Sequence, residues 1–227
     1  MEPHVLITNE TKVGQIAAEH PMATRVFARH GIDFCCGGGR PLQDVCERKG
    51  LDVESILYEI RAELTEDPSC SVRWDRAELG DLIDHIITAY HRPLSEELPR
   101  LELMARKVNR AHGDKMPDVL PELLSTFVEL KAELDAHMMK EEQILFPLIR
   151  SGQGARSSAP MSVMEHEHES AGRALERLRH LTNDYTAPEG ACNTWRALWV
   201  GLEQFETDMH EHIHLENNIL FPRARMD

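Results

Sequence analysis

Two stretches of the chain repeat one pattern of histidine, glutamate and proline. The segment from His137 to Pro147 and the segment from His212 to Pro222 both read His-x3-Glu-x2-Ile-Leu-Phe-Pro, and they begin 75 residues apart. Side chains four positions apart on an α-helix point in nearly the same direction and are about 6 Å apart along the axis. A histidine and a glutamate placed in this way can bind one metal ion, so the repeat predicts two related metal-binding pairs from an internal duplication.

Each half also has a histidine that directly follows an acidic residue on the preceding helix. These pairs are Asp84-His85 and Glu167-His168. Four imidazoles and two carboxylates suit two iron or manganese ions with bridging carboxylates, whereas structural zinc sites favour thiolates and four ligands. The predicted ligands, drawn from four helices, are His85, His137, Glu141, His168, His212 and Glu216.

The other histidines are excluded by their position. His210 and His214 lie on a face turned away from His212, His166 faces away from His168, and we interpret His91 and His112 as surface or supporting residues. The alternative is a set of core histidines that are satisfied by buried acids. The repetition favours metal, because six buried titratable groups without a cation would be costly.

Acidic residues near the predicted ligands are candidates for support and proton transfer. Glu133 and Asp208 each lie four residues before a repeated histidine, so we expect them to orient it or to relay protons. Glu167 is a second candidate for proton relay.

A pair of adjacent cysteines, Cys35 and Cys36, is followed by three glycines. Glycine lets the backbone approach a ligand closely, and an exposed thiolate can bind metal, exchange disulfides or accept a nitrosyl group. Two ordinary cysteines in a tight turn would give the same pattern. The remaining cysteines are interpreted as incidental, with Cys46 in the core: Cys46, Cys70 and Cys192.

The elements that must position these residues are helices. Leucine, alanine, glutamate, methionine and histidine dominate the chain, and aromatic residues make up only 5% of it. Apolar periodicity predicts long helices over 75–111, 117–150, 161–181 and 188–223, with Pro93 and Pro99 bending or breaking the first. We therefore expect an all-α protein, with an antiparallel four-helix bundle over 75–227 and a small helical domain over 1–70 that ends in a linker at Pro68.

The bulk composition excludes some partners and locations. The formal charge of −14 argues against nucleic acid and against an anionic membrane surface. No apolar run approaches the roughly 20 residues needed to span a bilayer, and residues 1–10 do not read as a secretory signal. Five cysteines, an odd number, do not suggest a disulfide framework, so we expect a cytoplasmic protein.

At this point the chain resembles the iron–sulfur cluster repair di-iron proteins, the Ric family. The resemblance rests on Asp33–Gly38, on Asp84-His85 and Glu167-His168, and on the two repeated segments. It implies a hemerythrin-like bundle with a small N-terminal helical domain. It also implies two non-haem iron ions, oxo-bridged when oxidised, with Glu141 and Glu216 as bridges and two histidines on each iron. One departure is the third glycine, Gly39, which is followed by Arg40.

The resemblance implies repair of iron–sulfur clusters that nitric oxide or peroxide has damaged, with damaged iron–sulfur proteins as partners and NO or O2 as the small ligand. A di-iron redox protein of this kind, with Cys35 and Cys36 handling the damaged cluster, is the main hypothesis, and whether it is an NO-reactive oxidoreductase is left open. The first alternative is a hemerythrin-like module that binds or senses O2 or NO without turnover. The second is an iron donor, and a homodimer is also left open.

Overall fold

The computed structural model describes residues 7–66 and 72–226, and it separates the chain into two compact units. The first unit consists of Met1–Leu82 and Ile213–Arg223, and the second consists of Ile83–His212 and Ala224–Asp227. The expected linker at Pro68, the Cys70 thiol and residues 1–6 lie outside the described part. The described residues form helices and no β-strand, with one isolated bridge between Lys12 and Pro41, so the expected all-α class is confirmed.

Over its described residues 7–66, the first unit contains four helices, and their ends follow the expected punctuation. Helix α3 begins after Pro41 and ends at Gly50, whose φ of 67° lies in the left-handed region that glycine adopts without strain. The Asp52 carboxylate caps α4 by accepting hydrogen bonds from the Ser55 backbone N–H at 3.0 Å and from its hydroxyl at 2.6 Å. The bounds are α1 Val13–Glu19, α2 Ala23–Arg29, α3 Leu42–Lys49 and α4 Val53–Glu66.

The apolar faces of these helices meet in one core. Its members are almost inaccessible to solvent, and they include Val13, Ile16, Phe27, Leu42 and Ile60. The C-terminal stretch of the same unit packs against α1, because a Cβ atom added at Gly14 would lie only 2.2 Å from the Asn218 side-chain oxygen. The first unit therefore joins residues from both ends of the sequence.

Four long helical rods follow α4 in the described chain. Three of them contain a π-helical segment, in which the turn is wider than in an α-helix. In order, the rods are α5 Leu79–Ile86 with π1 Ile87–His91 and α6 Arg92–His112; α7 Leu120–Lys140 with π2 Glu141–Leu145 and α8 Phe146–Arg150; α9 Ser158–Leu181; and α10 Asn193–His214 with π3 Leu215–Leu220 and α11 Phe221–Ala224.

Within the second unit, parts of these rods pack as a helical bundle. Helix α7 packs against both α6 and α9, and the rings of Phe127 on α7 and Phe205 on α10 lie 5.9 Å apart. The helix α6 passes through Pro99 without a break, contrary to one of the two outcomes expected there. Among the described residues, no helix is both long and apolar enough to cross a membrane.

Each π segment ends two residues before a proline. The final residues of π1, π2 and π3 are followed in this way by Pro93, Pro147 and Pro222. Proline has no backbone N–H, and its ring collides with the carbonyl group four residues earlier in a regular helix. A wider turn relieves that collision, so the prolines give a local physical reason for the three π segments.

Candidate metal centre

The second unit contains two groups of buried histidine and glutamate side chains that share one glutamate. The first group contains His137, Glu141 and His168, and the second contains His91, Glu141 and His212. Within each group, the potential ligand atoms all lie within 4.8 Å of one another. No more than 3% of the surface of any of these five residues is exposed. Two groups of potential metal ligands are therefore adjacent within the second unit.

The distances within the groups fit ligands of metal ions. The His137 and His168 Nε2 atoms are 3.0 Å apart, and those of His91 and His212 are 3.1 Å apart. The Glu141 Oε2 atom lies 3.4 Å from Nε2 of both His91 and His137. Two ligand atoms bound at right angles, each at about 2.1 Å from one ion, are separated by roughly 3.0 Å. This imidazole and carboxylate donor set suits iron or manganese, so the residues present fit the metal that the sequence predicts.

Two of the histidines are held from behind by carboxylates. The His137 Nδ1 atom lies 2.8 Å from Glu167 Oε2, and the His91 Nδ1 atom lies 2.8 Å from Glu142 Oε1. An acceptor at Nδ1 fixes the ring and its tautomer, and it leaves Nε2 as the metal-binding atom. Burial raises the pKa of Glu167, but hydrogen bonds from Lys140 and His137 outweigh it and bring this pKa below its ordinary value. Glu167 is therefore ionised, and its carboxylate can accept a hydrogen bond from the His137 Nδ1–H group.

The structure brings together four of the six predicted ligands: His137, Glu141, His168 and His212. Glu216, which belongs to the C-terminal stretch of the first unit, is fully buried and follows His212 by four residues along the same continuous helix. Its predicted role as the second bridging carboxylate stays a prediction.

His85 does not join either group, and His91 occupies the place that was predicted for it. His85 is only partly buried, and its ring contacts Tyr90 at 5.8 Å in an edge-on arrangement. His91 is only 2% exposed, so its interpretation as a surface residue is corrected. Its Nε2 atom lies 3.4 Å from Glu141 Oε2 and 3.1 Å from His212 Nε2, so His91, and not His85, lies with the predicted ligands.

The physical reason for this difference is π1. An α-helix turns about 100° per residue, so the buried side that contains Ile86 would return near position 90 in a regular helix. The extra residue of the π turn delays this return to His91. One sequence feature indicated the same residue, because His91 precedes His137 by 46 residues, close to the 44 between His168 and His212, whereas His85 precedes His137 by 52.

The structure gives the predicted supporting acids different surroundings. Glu133 is exposed, and the carboxylate at His137 Nδ1 is that of Glu167 instead. Asp208 accepts a hydrogen bond from the Gln204 amide at 2.8 Å. The four-residue offset turns Glu133 by about 40° from His137 around the helix axis, whereas Glu167 reaches the His137 Nδ1 atom from the neighbouring α9.

Sequence reasoning also missed two residues next to the ligands. Glu142 directly follows Glu141 but points to His91 on another rod. The Tyr90 ring stacks on the His212 ring, with centroids 5.4 Å apart and planes inclined by 7°. Neither residue has a counterpart of the same type in the repeat, so only the three-dimensional structure could identify them.

The cysteine pair lies in the first unit, in the loop between α2 and α3. Cys35 is buried and Cys36 is half-buried, and their Sγ atoms are 3.8 Å apart. The expectation of an exposed thiolate at Cys35 is therefore corrected. The hydrogen bond that the Cys35 thiol donates to the Cys36 sulfur, burial, and the nearby Cys36 and Asp33 charges all raise the pKa of the Cys35 thiol well above its ordinary value.

Comparison with known proteins gives matches over both parts of the chain. The hemerythrin HHE cation binding domain matches residues 82–224, and ScdA_N, a domain of unknown function (DUF542), matches residues 9–64. A Pectobacterium atrosepticum protein named iron-sulfur cluster repair protein YtfE is 47% identical over 215 residues, which cover 95% of this chain and 96% of that protein. A Yersinia pseudotuberculosis protein of the same name is 48% identical over 214 residues, covering 93% and 95% of the two chains.

Proposed function

We propose, from the premise that the chain belongs to the hemerythrin-type family of iron–sulfur cluster repair proteins, that it repairs damaged iron–sulfur clusters with a non-haem di-iron centre. One observation carries the proposal beyond the family membership. Two buried histidine pairs, each at metal-ligand spacing, share the single carboxylate of Glu141. A shared carboxylate between two such pairs supports a two-ion site rather than a single structural ion.

The proposed cofactor is a pair of iron ions, which would be oxo-bridged in the oxidised protein. His137 and His168 would hold one ion and His91 and His212 the other, with Glu141 as their shared carboxylate, and Glu216 is kept as the predicted second carboxylate. Support for Glu216 comes from its complete burial and from its place in the repeated His-x3-Glu pattern. When bound, two ferrous ions supply up to two electrons to nitric oxide or dioxygen.

The residues around the ions have separate tasks in this proposal. Glu167 and Glu142 hold the Nδ1 sides of His137 and His91, so the Nε2 atoms stay aimed at the ions. Lys140 pairs with Glu167 at the surface of the bundle, and this pair offers a route for a proton between solvent and His137. The Cys35–Cys36 pair of the first unit receives iron or a nitrosyl group from the damaged cluster.

Damaged iron–sulfur proteins in the cytoplasm are the proposed partners, because the relatives are named as cluster repair proteins. Those names do not favour the alternative of a module that only binds or senses O2 or NO. Catalytic repair and stoichiometric iron donation differ in one measurable respect. A donor loses its own iron in proportion to the clusters it restores, whereas a redox catalyst keeps it.

Glu141→Ala tests the proposal most directly. The purified variant is compared with wild type for iron content and for the rate at which it restores a nitric-oxide-damaged [4Fe–4S] protein. We expect the variant to bind less than half of the wild-type iron and to lose repair by roughly a hundredfold, as for loss of a catalytic metal contact. The matched control is Glu133→Ala, which removes an exposed glutamate from the same rod and should leave both values unchanged. A Glu141→Ala protein that lacks iron but repairs at the wild-type rate would overturn the proposal.

A further inference from the structure

The loop that contains the cysteine pair forms a second cluster of metal-binding side chains. Asp33, Cys35 and Cys36 bring a carboxylate oxygen and two sulfur atoms within 4.8 Å of one another. All three residues belong to the first unit and lie in the loop between α2 and α3. None of them is a ligand of the centre described above.

We propose that Asp33, Cys35 and Cys36 form a separate site for one borderline-soft divalent cation, such as Fe²⁺ or Zn²⁺. Two thiolates bound at about 2.3 Å in a tetrahedral arrangement are separated by roughly 3.8 Å. The Cys35 and Cys36 Sγ atoms are 3.8 Å apart, and the Asp33 Oδ1 atom lies 3.2 Å from the Cys35 Sγ atom. The same sulfur separation is far from the roughly 2.05 Å of a disulfide bond. The positions of the sulfur atoms therefore match a metal chelate more closely than a disulfide.

Backbone hydrogen bonds hold this geometry in place without an ion. Asp33 Oδ1 accepts the N–H groups of Cys35 at 3.0 Å and Cys36 at 2.9 Å, and Asp33 Oδ2 accepts that of Gly37 at 2.8 Å. The carboxylate is thus fixed beside the two sulfur atoms, and its Oδ2 atom, which accepts one backbone hydrogen bond, has a second lone pair for a cation. A site whose ligands are ordered in advance avoids part of the entropy cost of binding.

The C-terminal stretch of the first unit holds the loop from the other side. The Asn218 amide donates hydrogen bonds to the Phe34 and Cys35 carbonyl groups, both at 3.1 Å. A Cβ atom at Gly38 would lie 2.7 Å from both the Asn218 side-chain oxygen and the Phe34 carbonyl oxygen. Glycine at this position is therefore needed for the close approach, and Asn218 acts as a positioning residue for the proposed site.

The donor set determines the kind of ion and the way it binds. Two thiolates and one carboxylate favour Fe²⁺ or Zn²⁺ over Mg²⁺ or Ca²⁺, which prefer oxygen ligands alone. On binding, each thiol gives one proton to the solvent, and the complex of a divalent cation with three anionic ligands carries one negative charge. Three protein ligands leave a fourth position open, and Asp33 is exposed, so an ion can enter and leave without unfolding of the loop.

This site adds a step to the proposed function. The assignment of its ion as iron that moves to or from a cluster rests on that function. The site itself does not depend on it. Iron held by two thiolates and an open position can pass to another thiolate ligand by exchange, whereas iron among the buried ligands of the bundle has no such exposed position. The chemistry therefore separates a place that holds iron from a place that transfers it.

The test uses the reduced full-length protein with its bundle already loaded with iron, and Co²⁺ is the probe. We expect one additional Co²⁺ per chain, with sulfur-to-cobalt charge-transfer absorption, release of two protons, and displacement by Zn²⁺. Cys36→Ser should weaken binding by roughly tenfold or more and reduce the charge-transfer absorption, and the Cys35→Ser/Cys36→Ser double variant should remove that absorption. Asp33→Asn should weaken binding while keeping the absorption.

The matched control is Cys192→Ser, which removes an exposed thiol outside the cluster and should bind Co²⁺ as wild type does. Iron content and circular dichroism of each variant show whether it has folded. Wild-type protein without thiolate charge-transfer absorption, or a folded double variant that retains it, would overturn the site. Cluster repair is measured on the same samples: a wild type that binds Co²⁺ in this way but repairs nothing contradicts the proposed function and leaves the site standing.

Discussion

At the scale of single residues, the two ring nitrogens of His91 and His137 have different tasks. A carboxylate from another rod accepts a hydrogen bond at Nδ1 of each ring. The Nε2 atom of each ring faces a second histidine, His212 or His168. Each histidine is therefore fixed by a residue that it does not meet along its own helix. The geometry of the centre depends on packing between rods as much as on the ligands themselves.

The assignment of His91 as a ligand gives the first prediction. His91→Ala removes an imidazole that lies 3.4 Å from Glu141 and 3.1 Å from His212, so we expect it to lower iron content to about half or less. His85→Ala removes a partly buried ring outside both groups and should keep the wild-type iron content. Metal analysis and the visible absorption spectrum of both purified variants provide the measurement. Loss of iron in His85→Ala with retention in His91→Ala would contradict this assignment and support His85, the residue predicted from the sequence, as the ligand.

At the scale of elements, two of the π segments contain proposed metal ligands. His91 is the last residue of π1, and Glu141 is the first residue of π2. π-helical turns are frequent at functional sites, where the extra residue changes the direction of the side chains that follow. Here each π turn is followed by a proline, so the sequence itself disfavours a regular helix at the same place.

The second prediction concerns the proline after π2. Pro147→Ala restores a backbone N–H and removes a steric clash, so the wide turn can close into a regular helix. We expect the metal-free protein to become more stable by up to about 3 kcal/mol. We also expect iron to bind more weakly. Closing the wide turn into a regular turn would rotate Glu141 by about 100° relative to the buried side chains of Phe146 and Ile149. Urea denaturation of the metal-free protein and iron content of the purified protein are the two measurements.

Pro99→Ala is the matched control, since Pro99 lies inside α6 and no π segment precedes it by two residues. It should stabilise the protein in the same direction and leave iron binding unchanged. Equal iron binding by the Pro147 and Pro99 variants would show that the proline does not maintain the wide turn.

At the scale of the whole molecule, the buried histidines and glutamates are a cost to the fold unless an ion compensates for them. Glu141 and Glu216 are fully buried, and the ligating histidines are nearly so. Burial of carboxylates away from water is unfavourable, and a bound cation offsets that penalty. Stability and metal occupancy of the bundle should therefore be linked.

The third prediction follows from this linkage. One ion at a hundred times its dissociation constant stabilises the folded state by about 2.7 kcal/mol, so removal of the metal by a chelator should lower Tm by at least roughly 5–10 °C. Differential scanning calorimetry before and after chelation measures the shift, and iron added back should reverse it. Glu141→Ala serves as the control, because its Tm should respond little to the chelator. An identical Tm for the loaded and metal-free wild type would contradict a stabilising role of the metal.

The sequence by itself determined the helical class, the approximate span of each rod and four of the predicted ligands that come together. These features depend on local pattern: apolar periodicity, glycine and proline at helix ends, and a His-x3-Glu repeat whose spacing equals one helical turn. The tertiary structure decided between His91 and His85, because one extra residue in π1 changes which side of the rod faces inward, and the sequence held only the spacing of His91 from His137 as a signal. The same holds for Glu142, Glu167 and Asn218, which act on partners from other rods or loops. No local pattern contains such contacts, since they form only when distant segments pack together.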